Sequence, residues 1–311
     1  MQGLTATQAL SNANWAPTLS ILIPAYNAAP FLDETIESAL SQTFADREII
    51  LLDDGSTDDT LAIARRYEQH GLRVYTNGHN RGAVFTYNQL LLRAQGKYVT
   101  FLDADDIYLP PYCERVLSAM NERNAHIGFA NLLVLEGTQR LSTTLYGTPR
   151  DPRFAHMYGG PDARFPNDNP AVWRSLILQG VHISPRALYR RELFVNFGLE
   201  DTRLRITHDW LRHINFVLHG AQCVYVDEPL GYYRLHPGGN SQRDPMQTAI
   251  ENTKLFEIVQ RDFGHLLNEA EREGVHNVYR EMRARVLDGI GKSQLNNREV
   301  IQFLLERSFG L

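Results

Sequence analysis

The chain has 311 residues, 43% hydrophobic and 22% charged, with a formal charge of −5 at neutral pH. This is ordinary globular composition for one large domain or two smaller ones, and the acidic balance argues against a nucleic-acid partner. Two cysteines, Cys113 and Cys223, argue against a disulfide framework or a cysteine-built zinc site, and no apolar run approaches the roughly 20 residues of a membrane helix.

Residues 1–17 read as an N-terminal extension without the basic start and apolar core of a signal peptide. The chain is therefore expected in the cytoplasm, with a peripheral contact at the inner face of the membrane left open. Leu19 to Ile23 is a short apolar strand ended by Pro24, and Pro30 suits the first turn of a helix running to about Leu40. Glu48 to Leu52 is a second strand, ending in Asp53-Asp54-Gly55. Ser56 with Asp59 is the expected capping pair of the next helix, and Gly71 its stop. Leu72 to Tyr75 is a third strand, Gly82 to Ala94 a helix, and Tyr98 to Leu102 a fourth strand. Strands apolar on both sides and separated by helices predict an α/β fold: a mostly parallel sheet with helices on both faces.

The second half is less regular. Residues 148–171 are rich in Pro, Gly, Asp and Asn and read as a long loop. Val181 to Phe197 and Asp209 to His219 read as further elements, and Cys223 to Val226 as a strand. After Pro245 the pattern is helical and charged through Arg307. The expected division is 1–17, 18–125, 126–244 and a C-terminal helical region at 245–311.

In such sheets ligands bind beyond the carboxyl ends of the strands, and the polar clusters fall there. Ala25-Tyr26-Asn27 follows the first strand, Asp53-Asp54 ends the second, Asn80-Arg81-Gly82 follows the third, and Asp103 to Asp106 ends the fourth. In an extended chain residues i and i+2 point the same way, so Asp103 and Asp105 are expected to converge while Asp106 turns aside. Two converging carboxylates suit Mg²⁺ or Mn²⁺. The plainer alternative is an acidic turn with Asp106 capping the next helix, and D-x-D alone is a weak motif. The DDGST string fails the phosphatase spacing D-x-D-G-T, because Leu52 stands two before Asp54. Neither G-x-x-x-x-G-K-[ST] nor G-x-G-x-x-G is present.

Taken together, SILIPAYNAAPFL (20–32), SQTF (41–44), IILLDDGSTDDT (49–60), HNRG (79–82) and GKYVTFLDADD (96–106) closely resemble family 2 glycosyltransferases. Weaker matches are THDW (207–210), YYRLHPGGNSQ (232–242) and VHISPRALYRRELF (181–194). The resemblance implies a GT-A (Rossmann-like) fold and metal-dependent transfer of a single sugar, with inversion, from a nucleotide-diphosphate sugar, UDP being expected. The acceptor would be a glycan or lipid-linked hydroxyl in polysaccharide assembly. It makes 18–125 the nucleotide-sugar half and 126–244 the acceptor half. It implies that Pro24, Ala25, Tyr26 and Asn27 wrap the nucleoside and that Asp54 meets the base. It places Asp103 at ribose and metal, Asp105 on the metal, and Asp209 as general base. His236 would add a metal or diphosphate contact, and Arg81 and Arg234 would meet base or phosphate.

Each residue also has a structural reading: Asp209 as a helix N-terminal acid, His236 as a loop histidine, Tyr26 as loop filler. His208 departs from the family's usual Glu before the base. The Q-x-x-R-W motif of processive synthases is absent, in keeping with single-sugar transfer. The alternatives are a nucleotidyltransferase or a non-catalytic sugar-binding protein on the same fold. The C-terminal helices are left to pack on the core, form a homodimer or touch a membrane.

Overall fold

The computed structural model describes residues 17–146, 170–178, 183, 186–239 and 245–292. Four strands come first: β1 (Leu19–Ala25), β2 (Arg47–Asp53), β3 (Leu72–Thr76) and β4 (Tyr98–Phe101). Between them lie α1 (Leu32–Leu40), α2 (Thr60–Arg66) and α3 (Ala83–Arg93). β1 pairs parallel with β2 and β4, and β2 with β3. Every residue from Leu19 to Ile23 is buried, so both faces of β1 are covered, which is why its sequence is nearly all apolar. Parallel pairing also brings the carboxyl ends of these strands to one edge.

The capping pair expected at Ser56 and Asp59 does not form. Thr60 opens α2 and donates its N–H to Asp58 Oδ1 at 3.0 Å. Ser56 is drawn away, its Oγ accepting the Asn27 N–H at 2.9 Å. Gly71 does end this stretch, with φ at 91°.

Beyond β4 come β5 (Ile107–Tyr108), α4 (Tyr112–Glu122), β6 (Ile127–Glu136) and β7 (Gln139–Thr144). The sequence pattern does not single out β6, whose long apolar run carries no period of two. Then follow α5 (Pro170–Leu178), β8 (Leu188–Arg190), α6 (Glu192–Phe197) and α7 (His208–Leu218). β9 (Cys223–Leu235), α8 (Pro245–Phe263) and α9 (Glu269–Lys292) complete the described chain. The long loop read at 148–171 lies outside the described residues except where Pro170 and Ala171 begin α5, and so does the helical pattern beyond 292.

The nine-stranded sheet has the order β3-β2-β1-β4-β8-β6-β9-β5, with β7 on β6. β8 runs antiparallel to β4 and β6, and β9 parallel to β6. The C-terminal helices pack on this body. Phe256 of α8 is buried edge-on against Trp210, 5.1 Å between ring centroids, and Arg174 of α5 holds Glu271 of α9 at 2.6 Å. No described helix is long and apolar enough to cross a membrane.

One pairing positions the site. β5 and β9 are antiparallel, with Ile107 opposite Tyr232 and Tyr108 opposite Gly231. Continuing that register sets Arg234 against the acidic turn before β5. Gly231 permits the approach, since a Cβ there would lie 2.6 Å from the Ile107 carbonyl oxygen. Gly231→Ala is expected to lower the unfolding free energy by about 1–3 kcal/mol, read from urea melts; an unchanged midpoint would show that the two strands tolerate separation.

Candidate active site

The loops after β1 and β2 are sewn together. Asn27 sits in the left-handed region (φ 48°), which Asn tolerates better than most residues. Its Oδ1 accepts the Thr57 N–H at 2.8 Å, and Ala28 N–H donates to Thr60 Oγ1 at 2.7 Å. Ala25 is buried and gives its carbonyl to Asp54 N–H at 2.8 Å. Tyr26, between them, is left 47% exposed. An aromatic face in water at a strand's carboxyl end is available for stacking.

Asp53 and Asp54 are both buried. Asp53 accepts from the N–H groups of Gly55 and Ser56 and from Thr76 Oγ1. Asp54, expected to meet a base, has both oxygens engaged by the next loop. Oδ1 accepts Asn77 Nδ2 at 2.7 Å and Arg81 N–H at 2.9 Å, and Oδ2 accepts Gly82 N–H at 2.8 Å. It thereby fixes the segment that carries the exposed Arg81 side chain, which rests on the Phe85 ring at 4.2 Å. Gly55 lets the two loops touch, because a Cβ there would meet the His79 backbone at 2.4 Å.

The acidic segment after β4 is a turn, closed by Asp106 N–H to Asp103 O at 3.0 Å. The segment is therefore not extended as expected, yet Asp106 does turn inward, its side chain 2% exposed against about a quarter for Asp103 and Asp105. Asp103, Asp105 and Asp106 each bring an oxygen within 4.8 Å of the others. Arg186 makes this tolerable. Its NH2 donates to Asp103 Oδ2 at 2.6 Å and its Nε to Asp106 Oδ2. Burial alone would lower the guanidinium pKa, but Asp106 and Asp103 outweigh it and hold it well above its ordinary value. Tyr87 donates its hydroxyl to Asp103 Oδ1. Arg234 N–H donates to Asp106 Oδ1 at 2.9 Å. Asp106 is thus an internal brace and caps no helix.

Arg234, expected at base or phosphate, is 2% exposed. Its guanidinium donates to the carbonyls of Asp105 and Gly137 and to the Glu34 carboxylate. Burial and these three acceptors commit it to the interior, so it is withdrawn from the set of donor-binding groups. His236 lies against Phe31, 4.5 Å between ring centroids, and its Nε2 is 2.9 Å from Asp105 Oδ2.

A hard cation fits this chemistry. Asp103 and Asp105 are about a quarter exposed, and Asp105 Oδ1 meets no described donor. Asp103, Asp105 and His236 can supply ligands on the open side, while Asp106 is closed off by Arg186 and Arg234.

Asp209 stands in the first turn of α7, half-buried. Oδ1 accepts the Trp210 N–H at 2.9 Å, and Oδ2 meets no described donor. Beside it is a buried ion network. His208 Nδ1 is 2.8 Å from Glu200 Oε2, and Arg212 bonds Glu200 Oε1 and the Tyr189 hydroxyl. Burial opposes every charge here, and the pairing wins. Glu200 is held below the usual carboxylate range by Arg212 and His208, and His208 is raised above its ordinary value by Glu200. The His208 ring packs edge-on against Tyr87, 5.1 Å between centroids. Tyr87 therefore links the helix of Asp209 to the acidic turn. Arg186 falls within VHISPRALYRRELF, but no sequence pattern marks it as the partner of the acidic turn, and Tyr87, Glu200 and Arg212 lie in no motif singled out above.

The family model described as "Glycosyl transferase family 2" matches residues 20–195. TuaG of Bacillus subtilis (strain 168), named for teichuronic acid biosynthesis, is 38% identical over 129 residues, 40% of this chain and 51% of TuaG. WfaP of Escherichia coli, a UDP-Glc:alpha-D-GlcNAc-diphosphoundecaprenol beta-1,3-glucosyltransferase, is 34% identical over 116 residues, 37% of this chain and 46% of WfaP. The matches thus span about half of those relatives. Among solved structures, S. aureus TarS 1–349 in complex with UDP-GlcNAc superposes with a TM-score of 0.61 at 20% identity, covering 90% of this chain and 74% of TarS 1–349. The Pyrobaculum calidifontis mannosyltransferase with GDP-Man and Mn²⁺ gives 0.56 at 16%, covering 97% and 85%. These two likenesses establish the GT-A fold.

Two outcomes are expected. Arg186→Met strands buried Asp106 and should cost about 3–5 kcal/mol in chemical denaturation; a loss below 1 kcal/mol would refute the brace. Because His208 is raised, its stabilising share is complete below its ordinary 6.5 and is lost as pH rises through the folded value. Thermal melts of the wild type should show this alkaline decline, and Glu200→Gln should flatten it.

Proposed function

The chain belongs to glycosyl transferase family 2, and from that premise we propose that it moves one sugar from a UDP-sugar to an acceptor hydroxyl with inversion. What carries the reading is the link through Tyr87: the acidic turn and Asp209 come from distant segments, yet one side chain touches Asp103 and the neighbour of Asp209. A donor clamp and a base lining one cleft are what inverting transfer requires. The loops of Pro24, Ala25, Tyr26 and Asn27 form the nucleoside wall, with Tyr26 stacking on the base. Asp54 acts through the loop it holds, and Arg81 lies within that loop. UDP is the donor nucleotide that WfaP and TarS support. A lipid-linked acceptor and a place in polysaccharide assembly follow the names of WfaP and TuaG.

In the transfer, Asp209 Oδ2 takes the proton of the acceptor hydroxyl as that oxygen bonds to the anomeric carbon. The bond from that carbon to the diphosphate breaks on the opposite face, and the electron pair leaves with the diphosphate. A divalent cation held by Asp103, Asp105 and His236 would neutralise the leaving charge. Residues 18–125 serve mainly the donor in this reading, and 126–244 the acceptor. With a lipid-linked acceptor, the protein would work at the cytoplasmic face of a membrane.

Isothermal titration with UDP should show binding that requires Mn²⁺, and Asp209→Asn should retain that binding while losing transfer by a factor of about 100 or more. Metal-independent binding would remove the cation from the scheme, and normal transfer by Asp209→Asn would remove the base.

A further inference from the structure

His208 is 7% exposed, and its ring is fixed from two sides. Nδ1 is bonded to the fully buried Glu200 at 2.8 Å. Glu200 cannot drift, because Asn88 grips its backbone: Oδ1 accepts the Glu200 N–H at 2.8 Å and Nδ2 donates to the Glu200 carbonyl at 3.0 Å. The other ring nitrogen, Nε2, meets no partner among the described residues, yet it is not one of the buried polar atoms left unbonded in the interior. It therefore keeps some exposure, beside Asp209 and with the ring edge-on to Tyr87.

We propose that His208 contacts substrate and helps determine specificity, its Nε2–H donating a hydrogen bond to an oxyanion beside Asp209: an oxygen of the leaving diphosphate or the carboxylate of an acidic sugar. The inference rests on reading the cleft as a nucleotide-sugar site. The groups around the ring are Glu200 from the segment before α7, Asp209 and Arg212 from α7, and Tyr87 from α3 with Asp103 behind its hydroxyl. Burial and Arg212 disfavour the imidazolium; Glu200 and Asp209 favour it and prevail. A charged donor gains most from a charged acceptor, so an oxyanion is a better match than a neutral hydroxyl. A neutral ring would instead offer Nε2 as a base, and the pH dependence would then have the opposite sign.

The test titrates the wild type, Glu200→Gln and His208→Gln with uridine and UDP, then with UDP-glucose and UDP-glucuronate, all with Mn²⁺, below and above the ordinary histidine range. Wild-type affinity for the oxyanion-bearing ligand should fall about tenfold as pH rises, the size of one charge-assisted bond. A fall for UDP but not uridine assigns the diphosphate; a fall confined to UDP-glucuronate assigns the acidic sugar. Glu200→Gln should move the fall to lower pH, which titration of His236 beside Asp105 would not do, and His208→Gln should abolish it. The wild-type series needs no variant to fold. Nucleotide binding without this pH dependence, or affinity that rises with pH, overturns the role of His208. Failure of the wild type to bind any nucleotide overturns the functional reading and this inference with it.

Discussion

The guanidinium of Arg186 is the constraint on which the site depends. Three carboxylates within 4.8 Å of one another repel strongly in a partly buried turn. Arg186 is buried, bonds two of them, and lies over the Tyr233 ring at 4.6 Å. It divides the cluster by function. Asp106 is enclosed inside the protein, while Asp103 and Asp105 stay about a quarter exposed on the open side. A planar fork suits this double contact in a way that a lysine's point charge would not. Arg234 braces the same turn from β9 and ties it to Glu34 of α1.

A second ion network orients the opposite wall. Glu200, His208 and Arg212 are all buried; His208 and Arg212 favour the Glu200 carboxylate, and Glu200 favours both cations against the pull of burial. Arg212 also lies over Phe101 at 5.4 Å, the last residue of β4 and two before Asp103. Both networks thus converge on the end of one strand. The acidic turn and the start of α7 are held in register by these buried side chains, linked through the contact of His208 with Tyr87.

The first half was largely legible from sequence because its physics is local. Apolar runs marked the buried parallel strands, glycines and polar breaks marked the turns, and polar segments fell at the strand ends. Errors came where a local rule met a tertiary competitor. Ser56 forgoes its helix cap because the Asn27 N–H reaches it first. The acidic segment is a turn and not the extended chain expected, although Asp106 still points inward. Arg234 looks like a free cation in the string YYRLHP and is in fact enclosed, because pairing of β9 with β5 carries it inward.

By itself, then, the sequence determined the α/β alternation, the family and the short polar segments at the strand ends, since each is encoded by residues adjacent along the chain. The tertiary structure alone decided which acids are compensated and which remain open, and it alone brought Arg186 to Asp103 and Glu200 to His208. The first pair stand 83 positions apart, and no pattern links them. Electrostatic pairing in a buried site depends on distance in space and on the loss of water, and neither quantity is written in the order of residues.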